Sequence, residues 1–421
     1  MSHEKNSRYQ SASRLVNRLK RALRQAARFH RSYPFHRVFR SAEIRRQVSG
    51  FLAPWDNERL SGAEFDRARS ICGDLRRVIA DRMRYVKESG LDPELCLPGG
   101  IWKGDWERSA LYRGTAALLR EEYEVINNLR LFSQVFTGYS LAEMRRAEGL
   151  LPPDRVPPNL EERIKRASRR LDEWTIRCWM FSRYVPDAPR ISQPRRLGEA
   201  GWVVDGRIIN HDTYVYLERV ALLRESGLLG GLETRAAERS PVVLEIGGGF
   251  GGLAFHLKRQ VPRARYLIID LPESLVFSAI YLSTFFPDQQ NVIATSPHSI
   301  IRDLDRPGFT FIPNHFSHGF REAGIRVDLA VNTLSMSEML AGQVRAYCAL
   351  IRDSLAPGGS FFEQNQDNRH LGLLNTEDVV AGFFASRRKL SLPVGEVCGS
   401  ANVWSGARSG GSQAGHRAGI R

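Results

Sequence analysis

The sequence predicts an α/β fold: a mostly parallel sheet with helices on both faces, preceded by an α-helical N-terminal region. Three observations predict it. Residues 242–257 read as a buried strand, a glycine turn and the start of a helix. Tyr266-Leu267-Ile268-Ile269-Asp270 is a second apolar strand ending in an acid. From residue 241 onward strand-like and helix-like stretches alternate, the pattern of parallel sheets.

The chain has 421 residues, room for two or more domains. No apolar run approaches the ~18 residues of a membrane span, and the N-terminus lacks a compact apolar segment of signal type. Cys72, Cys96, Cys178, Cys348 and Cys398 are scattered, without C-x-x-C. A disulfide framework or structural zinc site is therefore disfavoured, and a reducing cytoplasm fits. The net charge of +15 sits at the ends. Residues 1–50 hold thirteen Lys and Arg against two acids, and residues 387–421 hold six against one. The middle is close to neutral, whereas a nucleic-acid enzyme more often carries its charge on the catalytic face.

Residues 1–50 read as a basic amphipathic arm. Leu15, Val16, Leu19, Leu23 and Ala26 make one stripe over 11–31, with Arg14, Arg18, Arg21, Arg24 and Arg28 off it. Such a helix can pack on its own protein, lie on an anionic membrane surface, bind nucleic acid or act as a targeting peptide. A membrane contact would make the protein peripheral to a bilayer.

Residues 51–200 read as a helical domain or cap. Ser61-x-x-Glu64 resembles a capping box opening a helix that ends before Gly90. The spacing of Leu118, Leu119, Tyr123, Ile126, Leu129 and Phe132 predicts a long helix over about 109–136. Ser140-x-x-Glu143 opens a short helix, Pro152, Pro153, Pro157 and Pro158 make a stiff connector, and Asn159-x-x-Glu162 opens a helix through Trp174 and Trp179.

Residues 201–404 form the sheet domain. Trp202–Ile209 reads as a hairpin about Asp205-Gly206. Asn210-His211-Asp212-Thr213 can cap the next helix, or cover a ligand of the domain it leads into. After the strand at Asp270 come a helix over 273–286, a short strand at 291–294, and strands at 309–313 and 327–332. A helix to Leu355, the Pro357-Gly358-Gly359 turn and a strand at 360–363 follow. Thr376–Phe384 reads as helix, and 389–394 with 402–404 as a closing pair that ends in a shortened strand. Residues 405–421, rich in Gly, Ser, Ala and Arg, read as a disordered tail.

Ligands of such sheets sit at the carboxyl ends of the strands. That rule collects Glu245, Asp270, Pro313, Asn332 and Glu363 on one rim. Gly247, Gly249 and Gly252 satisfy a dinucleotide fingerprint, which leaves an NAD-dependent oxidoreductase open. Glu245 argues against it. A pyrophosphate gains nothing from a neighbouring carboxylate, whereas a cationic ligand such as the amino end of S-adenosylmethionine (SAM) does. Asp270 lies about twenty residues past the glycines, the reach at which an acid accepts hydrogen bonds from ribose hydroxyls.

Glu245-x-Gly247-x-Gly249-x-Gly251 thus resembles the first motif of class I SAM-dependent methyltransferases, whose sheet is Rossmann-like. Asp270-Leu271-Pro272-Glu273 resembles the second motif of small-molecule O-methyltransferases. Gly206 to Thr213, Asn332 to Met339 and Phe362-Glu363-Gln364-Asn365 are similar to segments of a family of bacterial sugar O-methyltransferases. The resemblance covers about 200–404. It implies SAM as cofactor, held by Glu245, Gly247, Gly249, Gly251, Asp270 and Asn332, and a sugar or glycan hydroxyl as acceptor. It carries no metal requirement to particular positions.

A sugar hydroxyl is a weak nucleophile, so a general base near the rim should help. His315, Glu338, Glu363 and His318 are candidates, with His315 and Glu338 foremost. Outside this reading stand a SAM-fold protein that binds a partner without catalysis, and methylation of nucleic acid or another small molecule. No Asn/Asp-Pro-Pro-aromatic motif follows Asn332, which counts mildly against amino-directed methylation of DNA or protein.

Overall fold

The computed structural model describes residues 46–99, 110–136, 177–179, 181–182, 185, 188–301, 305–392 and 398–407. The expected helices at 11–31, 140–149 and most of 159–179, and the tail beyond 407, lie outside the described residues.

The first strand among the described residues is β1 (Val48–Leu52), which crosses the boundary expected at residue 50. Helix α1 (Gly62–Glu88) starts at the Ser61 capping box: the Glu64 side chain accepts from the Ser61 N–H at 2.8 Å. Next comes the single turn α2 (Pro93–Cys96). The long helix expected over 109–136 is instead α3 (Ala110–Leu118), α4 (Tyr123–Asn127) and α5 (Leu129–Phe132), followed by a 3-10 turn, Ser133–Phe136. Tertiary bonds replace the missing helical ones. Glu121 adopts φ 61° and accepts from Arg69 and Arg76. The Arg130 N–H donates to the Leu197 carbonyl at 2.9 Å.

β2 (Gly201–Val204) and β3 (Arg207–Ile209) form the expected hairpin, with Asp205 and Gly206 both at positive φ. β1 adds antiparallel to β2, completing a three-stranded sheet. Asn210 then caps α6 (His211–Glu225), its side chain accepting from the Thr213 N–H at 3.0 Å, and α7 (Leu228–Glu238) follows.

The main domain runs β4 (Val242–Ile246), α8 (Gly252–Gln260), β5 (Arg265–Asp270), α9 (Pro272–Phe285), β6 (Gln290–Ile293), β7 (Gly308–Pro313), α10 (His318–Glu322), β8 (Val327–Thr333), α11 (Ala341–Ser354), β9 (Leu355–Asn365), α12 (Thr376–Val380), β10 (Phe384–Leu390) and β11 (Ser400–Ala407). The eight strands lie in the order β10-β11-β9-β8-β4-β5-β7-β6. β11 alone runs against its neighbours, antiparallel to both β10 and β9. A parallel sheet with one reversed strand and helices on both faces is the Rossmann-like architecture the sequence predicts.

Two expectations shift. The helix at 376 stops at Val380, because Phe384 enters β10. The last strand is not shortened: β11 spans eight residues, and 400–404 pair with β9. The Pro357-Gly358-Gly359 turn survives as an irregularity inside β9, where the register against β8 slips between Val327 and Leu329.

β4 is buried along its whole length, as a strand covered on both faces requires. Its side chains alternate between two cores. Val243 points to the layer of α6, α8 and α9, and Leu244 and Ile246 point to the layer of α10 and α11. Helix α9 is buried all round from Pro272 to Thr284, because α1 and α3 cover the face that the sheet leaves open. Leu75 and Leu129 therefore share one core with Val243 and Tyr266. Arg82 of α1 clamps Glu273 of α9 through two bonds of 2.9 and 2.8 Å.

Candidate functional site

The site is built on the turn between β4 and α8. Gly247, Gly249 and Gly251 all adopt positive φ. At Gly247 the absence of a side chain is also a matter of space, since a Cβ there would lie 2.1 Å from Ser335 Oγ. The turn is tied down from below, with the Gly247 N–H donating to the Ile269 carbonyl at 2.8 Å.

Glu245 and Asp270 flank this turn. Glu245 lies on β4 at 2% exposure, and its Oε2 accepts from the Tyr266 hydroxyl at 2.7 Å. Burial pushes its carboxyl up to about 7, against Tyr266 and the Arg219 charge, which favour the ionised form. Asp270 ends β5. Its Oδ2 accepts from the Gly249 N–H at 3.0 Å and its Oδ1 from the Leu271 N–H at 2.7 Å. Burial raises this carboxyl too, to about 7, although part of the side chain is reachable from the cleft.

The cleft has two halves. One, of about 180 Å³, is lined by Glu245, His211, Arg219 and the Gly247–Phe250 turn. The other, of about 100 Å³, is lined by Asp270, Leu271, Asn314, Glu338 and Tyr347. Phe136, Gly247, Gly249, Thr333 and Leu334 border both. Leu334 sits at φ 68° and ψ −33°, a costly conformation for a side chain branched at Cγ. Its N–H donates to the Gln364 carbonyl at 2.9 Å, which holds it there.

The remaining expected residues divide. Gly251 caps α8 behind the cleft, packed against Leu282. Asn332 lies beneath the turn and lines neither half. Both its amide protons are used, one on the Ile246 carbonyl at 2.8 Å and one on Ser335 Oγ at 2.6 Å, and its oxygen accepts from Asn365 at 3.0 Å. It fixes the loop that shapes the cleft. Glu338 lines the Asp270 half.

His315 does not face the cleft. It is 2% exposed in a 3-10 turn, packed against Phe316 and Tyr85 of α1, and burial lowers its pKa to about 4. His318 beside it pairs with the Tyr85 hydroxyl at 3.1 Å. Pro313 ends β7 before these histidines, and the chain turns them toward α1. Glu363 is 1% exposed and accepts from Asn365 and Asn402, both at 2.7 Å, so it braces β9 against β11. Among the described residues no group of three or more His, Cys, Asp or Glu could hold a metal ion.

The segment Asn210–Thr213, which the sequence leaves open between capping and covering a ligand, does both, since His211 lines the cleft; Arg219 as a cleft residue and Phe136 as the partition carry no signal in the sequence. His211 and Arg219 lie on α6, which precedes the sheet and crosses above the turn: a Cβ at Gly252 would meet the Tyr216 hydroxyl at 2.3 Å.

No family model and no curated protein matches the sequence. Solved methyltransferase structures match it in part. The N-methyltransferase NodS from Bradyrhizobium japonicum WM9, in complex with S-adenosylhomocysteine, is 14% identical over 43% of this chain and 84% of its own, at a TM-score of 0.28. Magnesium protoporphyrin IX methyltransferase from Synechocystis PCC 6803, with bound SAM, is 12% identical over 47% and 82%, at 0.29. The SAM-bound amino pentose methyltransferase CalS10 from Micromonospora echinaspora is 15% identical over 34% and 50%, at 0.23. Likenesses this weak bear on no residue, acceptor or reaction of this chain.

Proposed function

We propose that the chain is a SAM-dependent O-methyltransferase that moves a methyl group to a hydroxyl of a sugar or glycan. The carrying observation is the pair Glu245 and Asp270, one in each half of a cleft parted by a glycine turn. In this reading the cofactor's ammonium meets Glu245, its carboxylate meets Arg219, and its ribose hydroxyls meet Asp270. The sulfonium then lies at the shared border, by Gly247, Thr333 and Leu334. A charged amine on a buried carboxylate is a charge-assisted contact, stronger than a neutral one. A dinucleotide fits worse. Its pyrophosphate would need the N-terminus of α8, where Tyr216 crowds Gly252 and a carboxylate faces the turn.

The acceptor class follows from the three segments that resemble sugar O-methyltransferases. Gly206 to Thr213 supplies His211, Asn332 to Met339 supplies Thr333, Leu334 and Glu338, and Phe362 to Asn365 braces that loop from below. All three bear on the cleft. SAM brings an already activated methyl, so the protein's task is to align the acceptor oxygen with it. Glu338 lies on the ribose side of that methyl.

Calorimetric titration of the full chain with S-adenosylhomocysteine and with NAD tests the cofactor, and tritiated SAM offered with a panel of nucleotide sugars and glycans tests the acceptor. Binding of S-adenosylhomocysteine but not NAD, and label in a sugar, are expected. Binding of NAD alone would replace this reading with the oxidoreductase.

A further inference from the structure

His211 opens α6 and lines the Glu245 half of the cleft, the half that shares Gly247, Thr333 and Leu334 with the other. Its Nδ1 is 3.1 Å from Asp212 Oδ1. An ionised carboxylate only accepts, so in a neutral ring the proton sits on Nδ1. Proton exchange with a bound acceptor then runs through Nε2. Asp212 is wholly buried and is itself held, accepting from the Arg130 guanidinium. Arg130 also donates to Glu199 at 2.8 Å and lies 3.8 Å over the Phe250 ring of the glycine turn. Glu199 in turn accepts from Asn210, the cap of α6, at 2.9 Å. Cap, histidine and carboxylate thus form one chain of hydrogen bonds.

We propose that His211 is the general base of the methyl transfer and that Asp212 is its positioning residue, an inference that rests on the methyltransferase reading. In the step, the acceptor O–H bond breaks and its proton passes to Nε2. The oxygen's electron pair forms the new bond to the methyl carbon. The carbon–sulfur bond breaks and its pair stays on sulfur, leaving S-adenosylhomocysteine, a methyl ether and an imidazolium. Positive charge vanishes from sulfur as it appears on His211. The imidazolium forms beside the buried carboxylate of Asp212, which its Nδ1 already contacts, so the new cation is drawn to Asp212. Arg219 in the same half opposes that cation, and Glu245 favours it.

The test reads the proton and the reaction separately. Nitrogen-15 NMR of the full chain with S-adenosylhomocysteine, with His211 assigned by its loss in H211Q, should show the ring proton on Nδ1 and none on Nε2. D212N should shift ring population toward the Nε2–H form. A wild-type ring protonated on Nε2 would overturn the proposal even where no acceptor in the panel is methylated. With an acceptor in hand, H211A and H211Q should lose about 10²–10⁴-fold in kcat while S-adenosylhomocysteine still binds, and added imidazole should restore part of the H211A loss. Full turnover in H211Q would equally overturn it. Loss of S-adenosylhomocysteine binding by the wild-type chain would instead remove the cofactor reading itself.

Discussion

Glu245 is the residue on which the cofactor turns, and its burial gives it a testable pH dependence. Its carboxyl is raised to about 7, chiefly by desolvation. Only the ionised form attracts an ammonium, so affinity for S-adenosylhomocysteine should fall as pH drops through about 7. Stability runs the other way. A carboxyl whose folded pKa lies above its unfolded value stabilises the fold below the unfolded value and loses that contribution as pH rises through the folded one. The ligand-free protein should therefore lose Tm between about pH 5 and pH 8, and E245Q should lose less. E245Q should bind roughly 10–100-fold more weakly at high pH, the worth of one charge-assisted bond, and with a shallower pH profile, Asp270 alone of the pair then titrating in the cleft. Calorimetry across the range checks this; a wild-type affinity indifferent to pH would count against contact with the carboxylate. Glu245 and Asp270 were legible in the sequence because each ends or nearly ends an apolar strand, the first just before the glycine turn and the second about twenty residues past it. His211 was legible only as one of two readings, since an Asn-His-Asp-Thr run serves capping or a ligand equally until α6 is seen to cross the turn. His315 misled because a histidine just after a strand end can face either way, and Tyr85 of a distant helix decided which.

Among the elements, α9 links the site to the rest of the chain. Asp270 ends the strand before it, and α1 and α3 cover its outer face. Arg82 and Glu273 are 8% and 3% exposed, so their bidentate pair is desolvated on both sides. R82A leaves the carboxylate buried without its partner and should cost about 3–5 kcal/mol in urea unfolding. Replacing both residues with Met and Leu should recover most of that, because the pair's own desolvation cost goes too. A loss of under ~1 kcal/mol in R82A would mean that α1 is not docked as described. Elements with a local signature, namely the capping boxes of α1 and α6, the Asp-Gly hairpin and the buried strands, were readable from spacing. The break at Glu121 was not. The apolar spacing runs through it, and the bonds that interrupt the helix come from Arg69, Arg76 and Leu197.

At the scale of the molecule, the described helices α1, α3, α4 and α5 share a core with the sheet. Leu97 to Gly99 line the Asp270 half of the cleft, and Phe136 stands between the halves. Sequence patterns divided the chain at residue 200, because periodicity reports which face of an element is buried but not what buries it. β1 shows the same gap: five residues at 48–52 pair with a strand some 150 positions later, a partnership that no local pattern announces. The central strands β4, β5, β7 and β8 were legible, since each is short, apolar and buried; β10 was legible only at its end, because its middle is exposed and polar. Its rim was legible only in part: the end-of-strand rule gathered five residues, of which Glu245 and Asp270 line the cleft. The most direct measurement is a crystal structure of the full chain with S-adenosylhomocysteine. Density should run across the glycine turn, with the amino group on Glu245 and the ribose on Asp270. Density for that molecule away from both carboxylates would contradict the account.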